Sequence, residues 1–190
     1  MGRPLIVYLH GFRSSPASWK SRLLGDAMAA CGLADRFVCP PLSPVPADAM
    51  AAVSAIVEAA DGPVTLVGSS LGGHYANHLA EKYGLNAVLI NPAVIASLDV
   101  GLFVGEHAGF HGGERFVFTP EHAAQLRAQV APPMPGRYWL LLEEGDEVLD
   151  WRQARDYYAG CRQTVLPGGD HSFTRFPEYI PQLIEYAFPG

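Results

Sequence analysis

The sequence predicts an α/β protein built on a parallel sheet of about six strands, with helices on both faces. Three observations carry this. Short apolar, β-branched runs alternate with segments of helical periodicity along most of the 190 residues. Leu5–Leu9 is apolar at every position rather than at every second one, as a strand buried on both faces requires. Turn residues follow nearly every run, at the end that a parallel sheet gathers on a single ligand-binding edge.

In chain order, Leu5–Leu9 is the first strand, ended by His10-Gly11-Phe12. Ser14-Ser15-Pro16 then reads as a helix start, with serine as the cap and proline in the first turn. Trp19, Leu23, Leu24, Ala27, Met28 and Cys31 recur at helical spacing up to Gly32. Residues 36–39 form a short second strand, stopped by Pro40-Pro41. A second helix over 47–60 carries Met50, Val53, Ile56 and Val57 on one face, and Asp61-Gly62-Pro63 breaks it. The third strand is 64–67, and the third helix is 71–82, closed by Gly84. Asn86–Ile90 is the fourth strand, ended by Asn91-Pro92. Across 93–136 the alternation lapses into glycines and phenylalanines, with one helix over 120–130 capped by Thr119; this stretch reads as a lid or wall. Tyr138–Glu143 is the fifth strand, 151–159 a helix, and Arg162–Leu166 the sixth strand. A closing helix spans 173–188, with Pro177 near its start and Pro181 as a kink.

The 190 residues read as a single domain, 1–190, with 93–136 as an inserted cap. Hydrophobic content of 49% and charged content of 17% suit a packed core and argue against disorder. A net charge of -6 without a basic stripe argues against nucleic acid as a partner. No apolar run approaches the roughly 20 residues of a membrane span. The opening Met1-Gly2-Arg3-Pro4 leads straight into the first strand and does not read as a signal peptide. Cys31, Cys39 and Cys161 are scattered and odd in number, the pattern of reduced thiols in the cytoplasm.

The chemistry centres on Gly68-Ser69-Ser70-Leu71-Gly72, a G-x-S-x-G between an apolar strand and a helix. In the nucleophile-elbow reading, the tight turn lifts the central serine above the sheet edge. The rival reading is a glycine-rich turn that binds phosphate at the helix start. The ends of other strands discriminate, because His10-Gly11-Phe12, Asp146 and His171 all fall on the same edge as Ser70. A serine hydroxyl needs a base, the base needs a carboxylate to hold its tautomer, and the developing oxyanion needs N–H donors. Ser69 is the alternative serine, Asp150 and Asp170 are alternative acids, and His171 has the alternative of an ordinary loop histidine. His10 reads as structural.

The order Ser, Asp, His is similar to that of α/β-hydrolases. His10-Gly11-Phe12 resembles their oxyanion motif, Gly68 to Gly73 their elbow, 144–150 their acid loop and 168–173 their histidine loop. More narrowly, 8–16, Asn91-Pro92-Ala93-Val94 and 145–150 resemble the small bacterial YqiA-like esterases, a likeness that spans nearly the whole chain and departs most across 96–136. The resemblance implies a minimal α/β-hydrolase fold with strand order 2-1-3-4-5-6. It implies Ser70 as nucleophile, His171 as base, Asp146 as acid, and the N–H groups of Phe12 and Leu71 as the oxyanion hole. It implies hydrolysis of carboxylic esters through an acyl-enzyme, without a cofactor, on a small-molecule substrate. A thioesterase using the same triad and a catalytically silent binding protein are the alternatives.

Phe103, Phe110, Phe116 and Phe118 are candidates for an acyl pocket; the alternative is that they only pack the insert onto the sheet. His74 and His78 have the i, i+4 spacing of zinc ligands but lack an H-E-x-x-H order and a third ligand, so no metal is expected. His107 and His111 share the spacing in a glycine-rich segment and read as solvent-facing.

Overall fold

The computed structural model of the chain describes residues 2–109 and 114–189. The described residues form eight strands: β1 (Leu5–Leu9), β2 (Phe37–Val38), β3 (Val64–Ser69), β4 (Asn86–Ile90), β5 (Gly105–Ala108), β6 (Arg115–Phe118), β7 (Tyr138–Glu143) and β8 (Arg162–Leu166). Six of them make one sheet, ordered β2-β1-β3-β4-β7-β8 and parallel throughout. That is the predicted order, with β7 and β8 as the fifth and sixth strands of the sheet. The helices are α1 (Trp19–Ala30), α2 (Pro46–Ala59), α3 (Leu71–Tyr83), α4 (Pro120–Ala128), α5 (Trp151–Tyr157) and α6 (Phe176–Ala187).

The central strands are largely apolar because both faces are covered, whereas β8 at the sheet edge opens with Arg162, Gln163 and Thr164 and is only half-buried. Val7, Leu9, Leu66, Leu89, Leu140 and Leu142 face a core shared with α2 and α3. Ile6, Tyr8, Val67, Val88 and Leu141 face the opposite core, closed by α1 and α6. Successive side chains thus enter different cores. Both layers converge on the carboxyl edge of the sheet, where the turns after β1, β3, β7 and β8 meet. No helix among the described residues is long and apolar enough to cross a membrane.

Several local expectations change. Ser14-Ser15-Pro16 does not start α1. The Ser15 hydroxyl accepts from the Ala17 N–H at 3.1 Å, and Ser18, which precedes the helix, makes no side-chain cap. The serines therefore shape a turn before the helix. A 3-10 turn over Ala34–Arg36 takes the first residue expected in the second strand, leaving β2 with two residues. β3 runs two residues further than predicted because Gly68 and Ser69 still pair, with Leu9 and with Leu89 and Ile90. α4 and α5 each end two residues early, and α6 starts three residues late because Phe173 holds φ at 55° and cannot be helical.

The largest departure is between β4 and β7. A 3-10 turn over Val100–Phe103, the antiparallel pair β5–β6 and α4 replace the expected single helix in irregular chain. The hairpin was illegible because Gly105-Glu106-His107-Ala108 has no β-branched residue and pairs only with β6. α4 begins as expected at Thr119, whose hydroxyl accepts from the His122 N–H at 3.3 Å while His122 Nδ1 accepts from the Thr119 N–H at 3.3 Å.

Candidate active site

Ser70 sits between the last residue of β3 and the first of α3, at φ 54° and ψ -121°. A non-glycine residue held there costs about 1–3 kcal/mol. The turn is held by three backbone bonds: Ser70 N–H donates to the Ile90 carbonyl at 3.0 Å, and the Ser70 carbonyl accepts from Gly73 at 2.9 Å and Ala93 at 3.0 Å. The glycine at position 72 is required because a β-carbon would overlap the Leu9 carbonyl where α3 starts against β1. Ser69 is buried at 6% exposure and pairs within the sheet, so the exposed serine of the motif is Ser70.

The turn after β7 carries Asp146 and the loop after β8 carries His171. His171 Nδ1 lies 2.8 and 2.9 Å from the two carboxylate oxygens of Asp146, and Nε2 lies 3.1 Å from Ser70 Oγ. The Asp146 side chain is 1% exposed and that of His171 20%. Asp146 Oδ1 also accepts from the N–H groups of Val148 at 2.9 Å and Leu149 at 2.8 Å, which fixes the carboxylate independently of the imidazole. The two alternative acids are engaged elsewhere. Asp150 caps α5 through the Arg152 N–H at 3.0 Å, and Asp170 accepts from the Thr174 hydroxyl at 3.3 Å.

The loop bearing His171 has no regular structure, so side chains satisfy its backbone. Glu143 ends β7 with its side chain fully buried; it accepts from the Asp170 N–H at 2.7 Å and from Arg175 Nε at 2.9 Å. Asn91, at φ 39°, donates to the carbonyls of Asp170 and His171 at 3.1 and 3.3 Å and accepts from the Glu143 N–H at 3.0 Å. Glu147 accepts from the His171 N–H at 2.9 Å, and that bond holds its carboxyl below the usual range. Lys20 Nζ donates to the Ser172 carbonyl at 2.6 Å. Sequence reasoning assigned none of these roles. The available signals were a carboxylate closing an apolar strand and an asparagine at the next strand's end, since asparagine tolerates positive φ.

A cavity of about 430 Å³ opens onto Ser70 and His171. Ile95, Leu98, Val100, Phe103, Phe118 and Leu126 form its apolar wall. Phe12 stands at the junction, with ring centroids 5.6 Å from Phe103, 5.6 Å from Phe118 and 5.7 Å from Phe116. Phe103 and Phe118 thus face the cavity, whereas Phe116 packs behind Phe12 and is not part of the wall. Phe110 lies outside the described residues, as does His111. His107 is not solvent-facing: it packs on Phe12 at 4.9 Å, and its Nε2 bonds the Phe103 carbonyl at 2.7 Å. Gly11 lies beneath the serine, where a β-carbon would stand 3.8 Å from Ser70 Oγ. Among the described residues, neither the Phe12 nor the Leu71 N–H has a backbone acceptor. His10 is bonded away from the cavity chemistry, with Nδ1 3.1 Å from the Gly11 carbonyl and Nε2 accepting from Leu42 at 3.4 Å.

His74 and His78 face α4. His78 Nδ1 lies 3.1 Å from the Gln129 carbonyl, and the described residues contain no group of three or more His, Cys, Asp or Glu able to hold an ion. Burial, and secondarily His78, lowers the His74 pKa from 6.5 to about 4. The folded state therefore binds fewer protons than the unfolded state between those values, so stability falls as pH drops from about 6.5 toward 4. His74→Leu should flatten that part of the melting-temperature profile; an unchanged slope would refute the assignment.

A parallel sheet in this order, with an elbow serine after β3 and an acid and a histidine on the loops after β7 and β8, defines an α/β-hydrolase fold. Residues 5–188 match the family described as Uncharacterised protein family (UPF0227), and the chain belongs to that family. The resemblance to YqiA-like proteins therefore holds. Among solved structures, the chain is similar to a protein from Agrobacterium vitis S4 assigned provisionally as a hydrolase, at TM-score 0.77 and 19% identity over 98% of this chain and 88% of that one. It is similar to α/β-hydrolase domain-containing protein 10 from mouse, at TM-score 0.72 and 19% identity over 98% and 90% of the two chains. It is also similar to Est1E from Butyrivibrio proteoclasticus, solved with ferulic acid bound, at TM-score 0.70 and 12% identity over 98% and 90%. At these identities the likeness is one of fold.

Proposed function

We propose that the protein is a serine hydrolase that cleaves carboxylic esters through an acyl-enzyme. The observation that carries this is the continuous bonded chain from Asp146 through His171 to Ser70 Oγ, at 2.8 and 3.1 Å. Ser70 Oγ attacks the acyl carbonyl while its proton passes to His171 Nε2. Asp146 keeps the Nδ1 proton in place and stabilises the imidazolium. The carbonyl electrons move onto oxygen, where the Phe12 and Leu71 N–H groups receive the charge. On collapse the C–O bond to the leaving group breaks, and the departing oxygen takes the proton from His171. Water then repeats the sequence and releases the acid, restoring Ser70.

The apolar wall supports an acyl group of hydrocarbon character in the cavity, with residues 93–136 acting as its cap. The test is covalent labelling of Ser70 by a fluorophosphonate, alongside turnover of oxygen esters and thioesters of graded acyl length. A folded protein that neither labels nor turns over any member of the panel would reject the reading. Phe103→Ala should shift the acyl-length optimum toward longer chains with soluble yield retained, because Phe103 is only half-buried. An unchanged length profile would remove Phe103 from the pocket.

A further inference from the structure

We propose that Lys20 is a positioning residue for His171: by holding the Ser172 carbonyl it sets the imidazole against Ser70. This rests on His171 acting as the base. Lys20 is the second residue of α1, is 9% exposed, and reaches a loop 152 positions away to donate at 2.6 Å. A lysine buried only to balance charge would end on a carboxylate; this one ends on the carbonyl of Ser172, the residue after His171. Asp170, Glu143 and Asp146 are the acidic groups that favour its charged form, while burial opposes it and brings its pKa down to about 8.

The contact matters because of what lies on either side of it. Glu147 holds the N–H of His171 and Asn91 holds its carbonyl, so the peptide units at His171 are fixed up to Ser172. The next residue, Phe173, is fully buried at φ 55°. A residue in that region is adopted only where its surroundings over-determine it. The Lys20 bond is the constraint on the intervening carbonyl, and it comes from α1 rather than from the strand ends that supply the others. The N–H of the same peptide unit, that of Phe173, donates to the Asp170 carbonyl at 3.1 Å; without Lys20 that bond alone holds the unit, which can tilt about it and carry the imidazole away from Ser70.

Lys20 also lines the cavity, so a small amine can reach the space its side chain would leave. The experiment compares wild type, Lys20→Met and Lys20→Ala for ester turnover, and records the His171 imidazole signals by NMR. Lys20→Met should lower kcat by about 10- to 100-fold with KM changed less than about twofold, the scale expected for misplaced reacting groups. Ethylammonium should restore part of kcat in Lys20→Ala and not in Lys20→Met. The His171 signals should shift in both variants. Unchanged kcat, or a lowered melting temperature with unchanged His171 signals, overturns the proposal. Should Lys20→Met not fold, Lys20→Gln replaces it in the same measurements. The NMR reading is independent of turnover: a wild type that cleaves no ester sinks the hydrolase reading, while unshifted His171 signals sink the role of Lys20.

Discussion

Replacing Ser70 with alanine should reduce ester turnover by about a million-fold, the scale seen when a triad nucleophile is lost, with fluorophosphonate labelling abolished. The size follows from the site. The hydroxyl is the only group removed, and His171 Nε2, which lies 3.1 Å from it, is left with no proton to take. The Phe12 and Leu71 N–H groups and the cavity remain, so the residual rate should stay above that in water. Stability should behave differently. Alanine keeps the β-carbon and with it the cost of φ 54°. Ser70→Gly should therefore melt above Ser70→Ala while being equally inactive. Turnover by Ser70→Ala within tenfold of wild type would sink the mechanism, and an alanine variant as stable as the glycine variant would remove the strain.

What the sequence made legible divides along a physical line. Strands covered on both faces betray themselves locally, since every position of Leu5–Leu9, and every position of β7 before Glu143, is apolar or nearly so. A parallel sheet then converts strand ends into neighbours, which is how Ser70, Asp146 and His171, separated by as many as 101 positions, could be read as a group. The supporting contacts have no such local mark. Glu143 meets Asp170 27 positions on, and Lys20 meets Ser172 152 positions on. Neither residue type favours one fold over another, and both act on backbone atoms, which carry no sequence information. The β5–β6 hairpin fails for the opposite reason: it is local, but its strands are short and glycine-bearing, and it buries only the Phe116 and Phe118 side. The serines before α1 were read by propensity, and the turn used them first.

Glu143→Leu should cost about 3 kcal/mol of stability, the low end of the range for breaking a buried charge pair, because the Arg175 side chain left behind is 32% exposed. The carboxylate is fully buried at the end of β7, and its two oxygens serve two different groups: Arg175 Nε at 2.9 Å and the Asp170 N–H at 2.7 Å. Leucine fills the volume but leaves the guanidinium without its counter-charge and the N–H without an acceptor. The loop cannot easily re-form around it, because Gly169 is at φ +81° and crosses so close to the carboxyl that a β-carbon there would overlap it. Glu143→Gln keeps one acceptor for Asp170 and loses the charge, so its cost should fall between wild type and leucine. Because the same loop carries His171, kcat should fall in both variants in that order. Denaturant unfolding measures the first effect. The double variant Glu143→Leu with Arg175→Leu should recover part of the loss, since the half-buried guanidinium is then no longer left without its counter-charge. A leucine variant within about 1 kcal/mol of wild type would mean that the net worth of the pair is only that of an exposed one, and that the histidine loop is held by Asn91, Glu147 and Lys20 alone.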